Sequence, residues 1–110
     1  MKIKVINTTI DSYETAYKIA KLLVSERLSP CVQIIPEIHS IYFWKGNLEK
    51  SSEILLSIKT ISNKVEACKE LICKYHNYSI PELIVLDGNI LSEDYIRWFN
   101  ENSEGFNGLC

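Results

Sequence analysis

The sequence is poor in the residues from which compact catalytic devices are usually built. It has four glycines in 110 residues, and none of them forms a Gly-rich phosphate-binding loop. Its two histidines stand in no HExxH, and GxSxG and CxxC are both absent. No nucleophile, base and orienting group can be assembled at local spacing, which points away from an enzyme. Basic residues are in slight deficit, 12 against 14 acidic, for a formal net charge of −2, and they form no block. A protein that tracks nucleic-acid phosphates needs the opposite. No apolar run approaches the roughly 20 residues that span a bilayer. The first ten residues, MKIKVINTTI, alternate lysine with apolar side chains and have no unbroken apolar core. They are expected to form a strand rather than a signal peptide, which places the protein in the cytoplasm. Four cysteines, Cys31, Cys68, Cys73 and Cys110, match no small secreted scaffold, so reduced thiols are expected over disulfides.

What is present fits one domain over residues 1–110, with about 101–110 as a polar tail. The apolar fraction of 46% and charged fraction of 24% are those of a globular chain. Residues 2–8 alternate with a period of two and predict a half-buried strand. Asp11-Ser12-Tyr13-Glu14 resembles a helix start with an acidic cap, and Ala16, Ile19, Ala20 and Leu23 recur at helical spacing, giving a helix over 12–27. Residues 31–44 predict a strand interrupted at Pro36, where a bulge or a sheet edge is expected. Gly46-Asn47 supplies a turn, and Ile54, Leu56 and Ile58 mark the returning strand. Val65, Cys68, Leu71, Ile72 and Tyr75 predict a second helix over 63–75. The run from Pro81 to Leu86 is almost wholly apolar and reads as a central strand. Residues 91–100 predict a last helix. The order βαββαβ plus a short C-terminal helix is that of an α+β, ferredoxin-like sandwich with a long β2–β3 hairpin.

That hairpin is too long for its domain. A 14-residue strand at about 3.3 Å per residue reaches roughly 45 Å, whereas a domain of this size has a radius of gyration near about 13 Å. One end must project beyond the core, and it carries Ile41, Tyr42, Phe43, Trp44 and Leu48. An exposed apolar edge of this kind invites aggregation unless it is covered. The simplest cover is another copy of the same chain in a closed ring.

Five segments, CVQIIP (31–36), SIYFWKGNLE (40–49), EILLSIKT (53–60), HNYSIPELIVL (76–86) and DYIRW (94–98), resemble in order and spacing the divalent-cation tolerance family CutA. The likeness runs from about residue 2 to residue 100. It implies a homotrimer whose hairpins pair between subunits, a link to tolerance of copper and other divalent metals, and no established catalytic activity. It also implies a likeness to the trimeric PII signalling proteins, hence an alternative role in sensing or scaffolding with a small ligand between subunits. No organic cofactor, nucleic-acid partner or membrane partner is implied.

His76 is the candidate metal ligand within that pattern. Two further ligand positions implied by the resemblance fall on Asn7 and Tyr75. Cys73, three residues before His76, is the candidate second ligand for copper or another divalent metal, provided the helix continues to His76. Against this stands an ordinary cysteine near a helix end. Cys68 lies on the apolar stripe and Cys31 opens a strand, so both are expected in the core, while His39 is expected at a surface or interface. Tyr42, Trp44, Tyr78 and Trp98 frame either an inter-subunit cleft or the trimer interface. Glu49, Lys59 and Glu82 either line such a cleft or form structural ion pairs.

Overall fold

The computed structural model describes residues 1–103 and has the expected element order. The elements are β1 (Lys2–Ile10), α1 (Tyr13–Ser25), β2 (Cys31–Trp44), β3 (Asn47–Thr60), α2 (Val65–Tyr75), β4 (Ile84–Asn89) and α3 (Glu93–Ser103). A single 3-10 turn at Ser62–Lys64 leads into α2. The four strands form one antiparallel sheet in the order β2-β3-β1-β4. This is the ferredoxin-like sandwich.

Register partners in an antiparallel sheet share a face, so the pairings sort the side chains. Ile6 lies opposite Ile58, and Ile10 opposite Ile54. These face α1 and α2, and the buried cluster joins Ile6, Ile10, Leu56 and Ile58 to Ile19, Leu23, Cys68 and Ile72. The other face holds Val5 opposite Leu86, Asn7 opposite Ile84, and Thr9 opposite Leu55.

Local chemistry fixes the element ends. Ser12, rather than Asp11, caps α1: its hydroxyl accepts the Thr15 N–H at 3.2 Å. The helix closes with Arg27 at φ 63° and paired bonds from Arg27 N–H to the Val24 carbonyl and Leu28 N–H to that of Leu23. Pro36 marks a bulge, as expected, and the ladder slips between Ile35 and Ile38 with Glu37 at φ 61°. The hairpin turn is one residue earlier than the sequence suggests. Lys45 and Gly46 take φ 51° and 83° and Asn47 already pairs with Trp44, which is how a two-residue turn matches strand twist.

Two expectations are corrected. β4 is an edge strand, not a central one, since among the described residues it pairs only with β1, and Ile84, Val85 and Leu86 are each about half exposed. Its apolar run therefore reflects a surface left open in the single chain. α3 runs to Ser103 rather than stopping near Asn100, because the Lys64 ammonium donates to the Ser103 carbonyl and to the Arg27 carbonyl at 2.8 Å, holding the last turn onto the domain. The rest of the expected tail, with Cys110, lies outside the described residues. No described helix is long and apolar enough to cross a membrane.

The principal extents are 51 × 27 × 21 Å and the radius of gyration is 15.1 Å. The long axis is that of the hairpin. The packed half depends on β3 side chains such as Leu56, which is fully buried. Leu56→Ala is expected to cost about 2–5 kcal/mol, measured as a lowered guanidinium midpoint at fixed protein concentration.

Candidate functional site

The projecting half of the hairpin is not a plain ribbon. Tyr42 lies opposite Glu49, Trp44 opposite Asn47, and Ile38 opposite Glu53, so Tyr42, Trp44, Glu49 and Glu53 share one face. That face is the one turned away from α1 and α2. The segment from His76 to Leu83 passes over it and brings Tyr78, Ser79, Ile80 and Glu82 against the strands. Together with Thr9 these residues enclose a groove of about 540 Å³.

Glu53 is the residue that sequence reasoning missed. It is only 9% exposed, and its Oε2 accepts the Tyr78 hydroxyl at 2.6 Å. Burial first, then the Glu53 carboxylate, pushes the Tyr78 phenol well above its ordinary range, so Tyr78 stays protonated and keeps donating. A signal for Glu53 existed: it shares the two-residue period of Glu49 and Ser51, both cross-strand from the Tyr42 side of β2.

His76 caps α2 and leaves the helical conformation, with ψ 141°. Its Nε2–H donates to the Thr9 carbonyl at 2.9 Å, and its Nδ1 accepts the Tyr78 N–H at 3.0 Å. The ring also packs on Tyr78, with centroids 4.9 Å apart. His76 thus ties β1 to the segment that walls the groove. Asn77 adds a second tie, donating to Asp11 at 2.7 Å.

The other predicted residues are dispersed. Lys59 lies six residues beyond Glu53 on β3, about 20 Å away along an extended strand. Its ammonium is 5.7 Å from the Tyr95 ring, which stacks on Trp98 at 5.3 Å. Within one chain, then, Tyr42, Trp44, Glu49, Tyr78 and Glu82 form one constellation, and Lys59 and Trp98 another. Cys68 is buried as expected, with its thiol pushed up by burial. Cys31 is only partly buried and Cys73 is exposed. His39 is exposed and pairs in register with Ser52. Another concavity, of about 590 Å³, sits at the far end of the sheet around the Lys4–Asp87 ion pair, and holds none of the predicted site residues.

Residues 4–102 match the family described as CutA1 divalent ion tolerance protein. The chain belongs to the CutA1 family. It is 38% identical over 100 residues to the divalent-cation tolerance protein CutA of Thermus thermophilus, a match that covers 91% of this chain and 97% of that protein. The solved T. thermophilus structure agrees with a TM-score of 0.85 over 94% of this chain and 99% of that one. Protein CutA of Mus musculus is 38% identical over 96 residues, 87% of this chain and 54% of the mouse protein. The chain therefore spans about half the length of that relative. The structure of a CutA from Archaeoglobus fulgidus described as periplasmic has a TM-score of 0.85 at 29% identity, covering 94% and 99% of the two chains. The family and its T. thermophilus and A. fulgidus members are named for tolerance of divalent cations and not for a reaction.

The CutA1 resemblance implied metal ligands at positions 7, 75 and 76. Asn7 sits in mid-sheet between Ser57 and Ile84, and the Tyr75 ring lies under the ammonium groups of Lys18 and Lys74, at 4.8 and 5.4 Å. A metal at His76 would have to displace either the Thr9 or the Tyr78 hydrogen bond. No group of three or more His, Cys, Asp or Glu among the described residues is arranged to hold an ion. The described residues of one chain do not form a closed metal centre.

The His76 geometry has a pH consequence. Burial, the largest influence, lowers its pKa from 6.5, against opposing pulls from the Thr9 carbonyl, Asp11 and Glu53. The folded protein then takes up this proton less readily than the unfolded chain. Its stabilising contribution is complete above pH 6.5 and is lost as pH falls through the folded value. The wild-type melting temperature is expected to fall on acidification from about pH 7.5 to about pH 5 more steeply than that of His76→Gln. Parallel profiles would show that the imidazole is not a buried neutral strut.

Proposed function

We propose that the protein acts as a cytoplasmic homotrimer in divalent-cation tolerance and catalyses no reaction. The observation that carries the assembled state is uncovered apolar surface at both ends of the sheet. Phe43, Ile41 and Leu48 are 74%, 68% and 68% exposed on the hairpin, and Ile84 to Leu86 line the free β4 edge. Strand edges with such side chains call for another edge to pair with, and a closed ring of identical copies satisfies every edge without leaving one over. Family membership agrees with a tolerance role. The mismatch between the donor set and a closed centre argues that tolerance does not run through a copper or zinc site built within one chain at His76 and Cys73.

A second reading, that the assembly senses or scaffolds through a small ligand as PII proteins do, has one observation in its favour. The groove at Tyr42, Trp44, Glu53 and Tyr78 is concave and lined by aromatic and polar side chains, which are the attributes of a ligand site. It lies on the hairpin face opposite Ile41, Phe43 and Leu48, so assembly through those side chains would leave it room.

Native mass spectrometry of the reduced protein, with and without copper or zinc, tests the leading reading. A trimer is expected, with metal adducts that His76→Asn and Cys73→Ser leave unchanged. One metal per chain, lost in both variants, would restore the pair as a centre. Trp44→Asp puts an unpartnered charge into the contact and is expected to dissociate the trimer on dilution. A Trp44→Asp protein that stays assembled would remove the hairpin from the interface.

A further inference from the structure

We infer that the groove between the hairpin and the His76–Leu83 segment is a binding site for a small organic ammonium ion with a flat apolar body. The inference rests on the reading of this groove as a ligand site and adds the chemical class of the ligand.

Charge is the first ground. Glu49, Glu53 and Glu82 all line the groove, and among the described residues no lysine or arginine does. Lys45 approaches the Trp44 ring to 5.9 Å, but it belongs to the turn and is not part of the groove wall. Among the described residues, none of the three carboxylates takes part in an ion pair. Glu53 is the informative one. The residue is nine-tenths buried, and among the described residues the hydrogen-bond partner of its carboxylate is one neutral phenol, which leaves acceptor capacity for a cation.

The walls are the second ground. Tyr42, Trp44 and Tyr78 present aromatic rings beside these carboxylates, with Ile80 completing an apolar side. Aromatic faces attract cations through the ring quadrupole, most strongly where water is excluded. They also take the apolar body of an organic cation, which they could not do for a hydrated metal. A hard divalent ion needs about six oxygen ligands converging on one point, whereas these carboxylates are spread around the groove and form no such cluster.

The geometry of Glu53 selects among organic cations. Its Oε2 is engaged by Tyr78 at 2.6 Å, so a two-pronged guanidinium cannot meet both oxygens without competition. An ammonium is a compact donor that needs only one. The groove volume of about 540 Å³ lies in the range of small-molecule sites, about 300–1,000 Å³.

The test uses the assembled wild-type protein and three probes of matched shape in isothermal titration calorimetry: 2-phenylethylammonium, 2-phenylethanol and phenylacetate. The ammonium is expected to bind at least about tenfold more tightly than either control, and Glu53→Gln to weaken it by about tenfold or more while the trimer persists. Glu82→Gln, at an exposed position, is expected to weaken it by a smaller factor and guards against misfolding of the Glu53 variant. Equal or tighter binding of the alcohol or the carboxylate would keep the groove as a ligand site and overturn the assignment of charge. Absence of binding by all three, with Glu53→Gln loosening the trimer, would make a cation of the neighbouring chain the occupant and overturn the inference. Absence of binding with assembly unaffected would remove the groove as a ligand site altogether.

Discussion

The β2–β3 ladder is longer than the core that could support it, and most of what is distinctive in this chain follows from that mismatch. Two helices of 13 and 11 residues cover the part of the sheet where Leu56 and Ile58 are buried. Beyond the bulge at Pro36 the ladder runs on with no helix behind it. A free two-stranded ribbon is marginal in water, and its stability must come from whatever packs against it. The chain supplies part of this itself, through Tyr78 and its neighbours. The rest of the apolar surface, from Ile41 to Leu48, is uncovered in the single chain.

The junction between supported and unsupported ladder is where the polar chemistry gathers. Glu53 sits just past the bulge, and Tyr78 reaches it because His76 ends α2 and holds the following residues against Thr9. Three hydrogen bonds in series thus connect the main chain of β1, the imidazole, the Tyr78 backbone and the buried carboxylate. Each fixes the next, so the groove wall is set by the core rather than by a free loop. Preorganisation of this sort lowers the ordering cost of binding. It also explains why His76 is poorly placed to hold a metal: its two nitrogens are already structural.

Much of the fold was legible in the sequence because its signals are local and periodic. The alternation in residues 2–8, the helical stripe of Ala16, Ile19 and Leu23, and the break at Pro36 each report one element directly. The position of β4 was not legible. An unbroken apolar run is the same whether a strand is covered by neighbours in its own sheet or by another chain, and composition does not tell the two apart. Of the groove residues, Tyr42, Trp44 and Tyr78 stood out in the sequence as rings with polar tips, and Glu49 and Glu82 as charged positions shared with the family pattern. Glu53 was passed over because it opens the apolar run EILLSIK and looks like its polar boundary. Its burial depends on Tyr78, 25 positions away, a contact that no local pattern encodes. Lys59 and Trp98 illustrate the converse: they are conspicuous as residue types, yet six residues of extended chain carry Lys59 out of reach of the groove.

A protein of a divalent-cation tolerance family need not carry a metal centre to be physically suited to its role. The described residues offer a thiol on an exposed helix face, an imidazole with both nitrogens engaged, and carboxylates arranged around aromatic rings. None of these makes a closed coordination sphere within one chain. What the chain does contain is a stiffly held acidic groove at the root of an apolar hairpin. Tyr42, Trp44 and Glu53 line that groove, while Ile41, Phe43 and Leu48 are exposed on the opposite face of the same ladder. A ligand on one face and a covering surface on the other would be coupled through the ladder they share, each biasing the other by reciprocity. The bulge in β2 sets which side chains share that face: paired without it, Tyr42 and Trp44 would turn to the opposite one.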